Sequence, residues 1–385
     1  MAKNAAKLKK NKFIQSGKLD ITFLSFVLIF LTIGLVMLFS ASYAYSYENY
    51  GNSYKFIVRQ AMFAAAGIVA MFAFSRVDYH VWRKLSWLVY FVTLALLIFL
   101  LIAPPMVSGM KVKRWFAIGS LSFQPSEIAK FAIVILFSTL ISANQKLMSS
   151  WKFILFLLGI LGVTCFLVVK EPHLSATLLI AAIGIVLIYV GGLNRKVVIG
   201  GLVAAAAAVV LVIITQSTGF ISYGAGRIKY WLDPWADATG EGFQTIQSLL
   251  AIGSGGILGR GIGMSRQKYL WVPEPHNDFI FSIVCEELGL VGAIIIILLF
   301  ALLVWRGFTI AMRATDKFGS LLSIGLTFQV GLQAMLNIWV VTNTIPNTGI
   351  GLPFFSYGGT SLLILLAEMG IVLSVSRGAD IEKAK

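Results

Sequence analysis

Charge is scarce in this sequence. Only 12% of its 385 residues are Asp, Glu, Lys or Arg, while 58% are hydrophobic. That balance excludes an ordinary water-soluble domain, in which about a quarter of residues are charged. Cysteine is scarcer still: the two, Cys165 and Cys285, both lie inside apolar runs, which excludes a disulfide framework or a cysteine metal centre and leaves them as packing residues. The three histidines, His80, His173 and His276, are dispersed and show no zinc-helix spacing. Acidic residues are half as many as basic ones, for a net charge of +15. Nucleic acid is nevertheless not the expected partner, because Lys and Arg fall in short loops between apolar segments rather than on one soluble face.

What is present is a series of apolar runs of membrane-spanning length. They occupy about 21–41, 57–74, 85–103, 126–143, 153–169, 174–192, 197–216, 279–304, 319–342 and 358–376. The expected fold class is all-α, a polytopic membrane protein with ten transmembrane helices. A single domain over 21–376 would sit between a basic N-terminal tail, 1–20, and a short C-terminal tail, 377–385. The first run is too long for the apolar stretch of a signal peptide and fits a first spanning helix. An even number of spans places both termini on one side. The lysines of the N-terminal tail, with Arg76, Arg83, Lys84, Lys146, Lys152, Arg195, Lys196, Arg306, Arg313 and Lys317, mark that side as cytoplasmic.

Two outer connections carry the remaining information, 104–127 and the long segment 217–277. Lys111, Lys113 and Arg114 in the first, and Arg227, Arg260, Arg266 and Lys268 in the second, run against the positive-inside tendency. A compact outward basic cluster at the membrane surface suits an anionic head group, phosphate above all. The glycine-rich 253-GSGGILGRGIG-263 lacks the Gly-Lys-Ser/Thr ending of a nucleotide loop and is expected to be a flexible or re-entrant connection. Ala204–Ala208 favours close helix contact.

Ionisable groups at membrane depth are costly and mark function by default. Here they are Glu127, Lys130, Glu286, Glu287 and Glu368. Glu127 and Lys130 are three apart at the start of the fourth run, so they share a face. They form either a self-neutralising structural pair or a positioned cation and carboxylate beside a substrate. Asp278, where a polar loop meets the eighth run, is either a helix N-cap or a general base. The closing stretch 345-IPNTGIGLPFFSYGGTS-361 is too rich in Pro and Gly for a regular helix, and at membrane depth such backbone must line protein or a water-filled cavity. Ser356 and Tyr357 are its polar groups.

Taken together, 114-RWFAIGSLSFQPSEIAK-130, 267-QKYLWVPEPHNDFIFSIVCEELGLVG-292 and 346-PNTGIGLPFFSYGGTS-361 resemble, in order, spacing and ten-helix frame, the SEDS family of FtsW, RodA and SpoVE. The stretch 266-RQKYLWVPEP-275 is closer in character to FtsW or SpoVE than to RodA. The resemblance implies a peptidoglycan glycosyltransferase that polymerises lipid II at the outer face of the bacterial cytoplasmic membrane beside a class B penicillin-binding protein transpeptidase and other divisome or elongasome proteins. It implies that Asp278 is the essential aspartate. It also assigns Arg114, Gln124, Glu127, Lys130, Lys268, Glu274, His276, Glu286, Glu287, Ser356, Tyr357, Gly358 and Gly359 to the cavity wall. One departure is 172-PHLSAT-177, where many members have Asp and Gly in place of His173 and Ser175.

An α-linked sugar diphosphate and a β-linked product call for a single inverting displacement with one base. Asp278 is the expected base, with Lys111, Lys113, Arg114, Lys130, Arg227 or Lys268, or a divalent cation such as Mg2+ or Mn2+, offsetting charge on the diphosphate. No organic cofactor is expected. A lipid flippase and a non-catalytic scaffold for a transpeptidase are the alternatives. The placement of charge near the outer ends of the helices, with Glu368 as the main exception, favours the enzyme.

Overall fold

A buried aspartate starts the first helix: Asp20 accepts from the Phe23 amide at 2.8 Å and its other oxygen meets Arg306 at 2.7 Å. The structure is a computed structural model that describes residues 17–102, 114–118, 121–171, 173–193 and 230–379. The first helix, α1 (Ile21–Tyr50), runs nine residues past its expected end, because the stretch after Ala41 stays helical until Gly51 turns left-handed at φ 66° and caps it. At the helical rise its 30 residues span roughly 45 Å, well beyond the hydrocarbon layer. Its C-terminal turns carry the exposed Tyr43, Tyr47 and Tyr50, as suits the boundary of a membrane.

There follow α2 (Lys55–Arg76), α3 (His80–Ile102), a hairpin of β1 (Phe116–Ile118) and β2 (Leu121–Phe123), α4 (Pro125–Ala143), α5 (Trp151–Lys170) and α6 (Leu174–Val190). After them come α7 (Phe243–Gly255), α8 (Ile280–Met312), α9 (Lys317–Val341) and α10 (Gly359–Gly378). Eight of these helices are long and apolar enough to cross a membrane, and α6 is a shorter apolar helix. The chain is therefore a mostly helical, multi-pass membrane protein. The expected span 197–216 lies outside the described residues.

The core centres on α4, where Ile133, Val134, Ile135, Leu136 and Phe137 are all fully buried. Helices α3, α5 and the second half of α8 show apolar side chains outward, including Phe91, Phe166 and Leu298, as lipid-facing helices must. Pro125 occupies the first turn of α4, which its missing N–H tolerates. The antiparallel hairpin pairs Phe116 with Phe123, and their rings stack at 5.2 Å. Thr360 Oγ1 donates to the Ser122 carbonyl at 2.9 Å, tying the hairpin to the start of α10.

Helix α8 is broken. Gly289 adopts φ 68° and ψ −171°, a conformation open only to glycine. Residues 256–261 fill the break: Arg260 and Gly261 donate to the Glu286 and Glu287 carbonyls at 3.0 Å each, and Leu290 and Val291 donate to Gly256 and Ile257. A Cβ on Gly289 or on Gly259 would collide with the opposing backbone. The glycine-rich stretch thus satisfies the backbone groups that the broken helix frees, which is the condition for irregular backbone at membrane depth.

Candidate active site

Asp278 lies one residue ahead of the cap of α8, in the tight segment 273–279. Glu274 takes φ 45° there, and Asn277 Nδ2 donates to Glu274 Oε2 at 2.8 Å. The segment is pinned from two sides. Asn337 on α9 donates to the Asp278 carbonyl at 2.7 Å and to the Ile350 carbonyl at 2.6 Å. From the irregular stretch before α10, Ser356 Oγ donates to the Asn277 carbonyl at 2.7 Å and the Tyr357 amide to the His276 carbonyl at 2.8 Å. Gln60 on α2 closes the frame, donating to the Ser356 carbonyl and accepting from the Gly358 amide at 3.2 Å.

These contacts wall a cavity of about 600 Å³. Asp278 and Glu274 form one edge of it, with Arg114, Gln124, Glu127, Lys130, Ser356, Tyr357, Gly358 and Gly359 around it. Ten of the expected residues therefore meet at one place. The hairpin delivers Arg114 and Gln124 from either end, while the first turn and a half of α4 delivers Glu127 and Lys130. Lys130 is buried, 2.9 Å from Glu127 Oε1 and 3.0 Å from Gln333 Oε1. The pair is mutually neutralising and faces the cavity at once.

The capping explanation for Asp278 does not hold. Phe279 occupies the N-cap of α8 with no side-chain cap, and among the described residues nothing donates to the Asp278 carboxylate. Burial and the neighbouring Glu274 push it up to about 6, with Arg114 pulling the other way. The approach to it is kept open by Gly349, at φ 68°, on which a Cβ would lie 3.2 Å from Asp278 Oδ2. A half-buried carboxyl group near neutrality, without donors among the described residues, at the edge of a polar cavity is suited to taking a proton.

Four expected wall residues lie elsewhere. Lys268 turns inward to Glu287 Oε1 at 3.1 Å, Ser40 Oγ at 3.0 Å and the Gly263 carbonyl at 2.6 Å. Glu286 accepts from Ser265 Oγ and from the amides of Arg266 and Gln267, with Arg260 at 3.6 Å. Both glutamates hold the 260–268 loop against the break in α8. His276 is buried in an aromatic box of Phe56, Tyr45 and Tyr357, at centroid distances of 4.3, 4.9 and 5.9 Å. Burial pushes its imidazole down to about 4, so it is a neutral packing group at physiological pH. Lys111, Lys113 and Arg227 lie outside the described residues.

Gln329, Gln333 and Arg59 of the cavity lie outside the motifs, whereas Glu368 and His173 were already marked in the sequence. Gln329 and Gln333 line the cavity, and with Asn337 they form a stripe at every fourth position of an otherwise apolar α9, a helical-face signal that was there to be seen. Glu368 lies at the floor, accepting from Gln329 Nε2 at 2.9 Å. Arg59 and His173 complete the polar lining. Among the described residues, no group of three or more His, Cys, Asp or Glu converges to hold a metal ion.

Fold and site together define a multi-pass membrane protein with a polar cavity lined by the segments that open α4, α8 and α10, one edge of it an open carboxylate. The sequence profile of the FtsW/RodA/SpoVE family, described as cell cycle protein, matches residues 21–380, and the chain belongs to that family. It is 39% identical over 368 residues to Stage V sporulation protein E of Bacillus subtilis (strain 168), covering 93% of this chain and 97% of that protein. It is 36% identical over 367 residues to the probable peptidoglycan glycosyltransferase FtsW of Geobacter sp. (strain M18), covering 94% and 98%. Among solved structures, one chain from work on the structural coordination of polymerization and crosslinking by a peptidoglycan synthase complex superposes with a TM-score of 0.77. That chain is 28% identical, with 93% of this chain and 98% of that chain covered.

Proposed function

We propose that this protein polymerises lipid II into β-1,4-linked glycan strands, as a peptidoglycan glycosyltransferase of the outer face of the bacterial cytoplasmic membrane. The observation that carries the reading is the open Asp278 carboxylate, raised toward neutrality, in a cavity that also presents Arg114 and Lys130. Family membership, with relatives named as glycosyltransferases, supports it. In this reading the chain crosses the membrane ten times, the described spanning helices and α6 being joined by a helix over 197–216. Both termini are cytoplasmic, and the segment 217–277 lies outside.

The reaction follows from the cavity. Asp278 takes the proton of the acceptor sugar 4-hydroxyl as its oxygen forms the bond to the donor anomeric carbon. The bond from that carbon to the diphosphate oxygen breaks, and the lipid diphosphate leaves with the electron pair. Inversion turns the α-linked donor into a β-linked product. Arg114 and Lys130 offset the charge gathering on the diphosphate, in a site partly closed to water where such contacts act strongly. A divalent cation would be held by Glu274 together with the diphosphate itself, since such ions bind through one or two carboxylates and substrate phosphates. Its charge would add to that of the two basic residues.

The partner in this reading is a class B penicillin-binding protein transpeptidase, which crosslinks the strands as they emerge. The likeness to a chain from a peptidoglycan synthase complex supports that pairing. The test is polymerisation of lipid II by the purified protein, with and without divalent cation and transpeptidase. Glycan strands are the expected product. Lipid II that crosses a bilayer without forming strands would make the protein a transporter instead. No strands from the purified protein, with strand synthesis in cells that survives replacement of Asp278, Arg114 and Lys130, would make it a scaffold.

A further inference from the structure

His173 occupies the N-cap position of α6 without capping it. Its backbone is fixed at both ends, the amide donating to the Val168 carbonyl at 3.3 Å and the carbonyl accepting from Thr177 Oγ1 at 3.1 Å. The ring is fixed as well. Gln124 Nε2 lies 3.1 Å from Nδ1, and Ser126 Oγ lies 3.2 Å from the same nitrogen. An amide nitrogen can only donate, so Nδ1 is the acceptor and the ring proton belongs on Nε2. Gln124 and Ser126 are both buried in the turn that opens α4, so this arrangement is held by rigid backbone.

Nε2 has no hydrogen-bond partner among the described residues, while His173 lines the cavity. Arg114 is its neighbour: the guanidinium Nε donates to the Glu171 carbonyl at 3.4 Å, two residues before His173. Burial first, then Arg114 and Lys130, pushes the imidazole down to about 3, so the ring stays neutral throughout the working pH range. The wall therefore offers a fixed, uncharged N–H beside a cation.

We propose that His173, locked as its Nε2–H tautomer by Gln124 and Ser126, donates a hydrogen bond from the cavity wall to a diphosphate oxygen of the sugar donor, alongside Arg114. An N–H donor aimed at an anion forms a charge-assisted hydrogen bond, stronger than a neutral pair, and a neutral ring gives up no proton to the leaving group. His173 is in this view a substrate-contact residue whose task is to seat the diphosphate, with Asp278 as the base. The inference rests on the reading of the cavity as a site for a diphosphate-linked sugar.

The experiment uses the purified full chain, with inorganic pyrophosphate as probe, and follows the probe's stabilisation of the protein against heat. In His173→Ala the half-saturating concentration of pyrophosphate is expected to rise about tenfold or more, the scale of a lost hydrogen bond to a charged group. His173→Gln, which keeps a neutral N–H, should stay within about threefold of the parent. Ser126→Ala should weaken binding by a smaller factor, about two- to threefold, through a looser ring. Melting without probe shows that each variant is folded, and 15N solid-state NMR of the parent should find the proton on Nε2.

Equal pyrophosphate binding by His173→Ala and the parent would overturn the proposal. So would a glutamine variant as weak as the alanine one, a parent that binds no pyrophosphate, or a ring proton found on Nδ1. Lipid II polymerisation by the parent, measured in parallel, tests the underlying reading separately. A protein that binds pyrophosphate through His173 yet makes no glycan would refute the glycosyltransferase reading and leave the contact standing. An active polymerase whose pyrophosphate binding ignores His173 would do the reverse.

Discussion

Asp278 and the pair Glu286–Glu287 stand on one short stretch of chain, yet the protein surrounds them in opposite ways. The two glutamates are buried among donors: backbone amides of 265–267, the Ser40 and Ser265 hydroxyls, Lys268 and Arg260. Asp278 has its backbone carbonyl held, while its carboxylate meets no donor among the described residues. A buried charge that is met by donors and an opposite charge is costly to disturb. A carboxyl group left without donors at a cavity edge is disfavoured in its charged form, and that makes it a competent base near neutral pH. The pair fastens the loop that seals the break in α8, and Asp278 is held ready by the frame around it.

Neutralising each carboxylate in turn separates the two roles. Asp278→Asn should lower lipid II polymerisation about a hundred- to ten-thousand-fold while lipid II binding persists. The same change should leave the melting temperature equal or higher at pH 7.5. The sign follows from the raised carboxyl: its charged form is penalised in the folded state, so the cost to stability builds as pH rises from the ordinary aspartate range to about 6 and remains above it. Asparagine carries no such cost.

Glu287→Gln and Lys268→Met should do the opposite. Each leaves the other member buried without its charge partner, at about 3–5 kcal/mol of stability, read as a fall in melting temperature, with activity per folded molecule nearly kept. The double variant Lys268→Met/Glu287→Leu should recover much of that loss, because no lone charge remains. Gly289→Ala should destabilise by at least the roughly 1–3 kcal/mol of a strained backbone, since its Cβ would also press on the paired 257–259 segment. Loss of glycan synthesis in that variant, in step with loss of folded protein, would assign the break to architecture alone.

The sequence carried more of the frame than of the wall. All nine apolar windows that fall on described residues coincide with helices, since twenty apolar residues admit few other structures in lipid. Their ends were less legible: α1 continues through 42–50, whose serines and tyrosines do not extend an apolar run, and only the left-handed Gly51 stops it. Arg114, Glu127, Lys130 and Asp278 reach one cavity as the three motifs implied. Lys268 and His276 belong to the same motif and turn away from it. Their direction is set by left-handed residues in the loop, Leu270 at φ 66° and Glu274 at φ 45°, which no periodicity reveals. The Gln329, Gln333 and Asn337 stripe was legible by spacing. Its amides drew no notice because a neutral polar group in a helix lacks the cost that singles out a charge.

In the proposed mechanism Asp278 is a base tuned by what surrounds it: burial and Glu274 raise its pKa and Arg114 lowers it. The pH dependence of kcat/KM for lipid II polymerisation tests this most directly, because it reports the ionisation of the free enzyme's base. The parent should gain activity with rising pH through an acid limb near pH 6. Glu274→Gln should move that limb to lower pH and Arg114→Gln to higher. A flat profile between pH 5 and 7, or a limb that stays in place or rises when Glu274 is neutralised, would contradict the account.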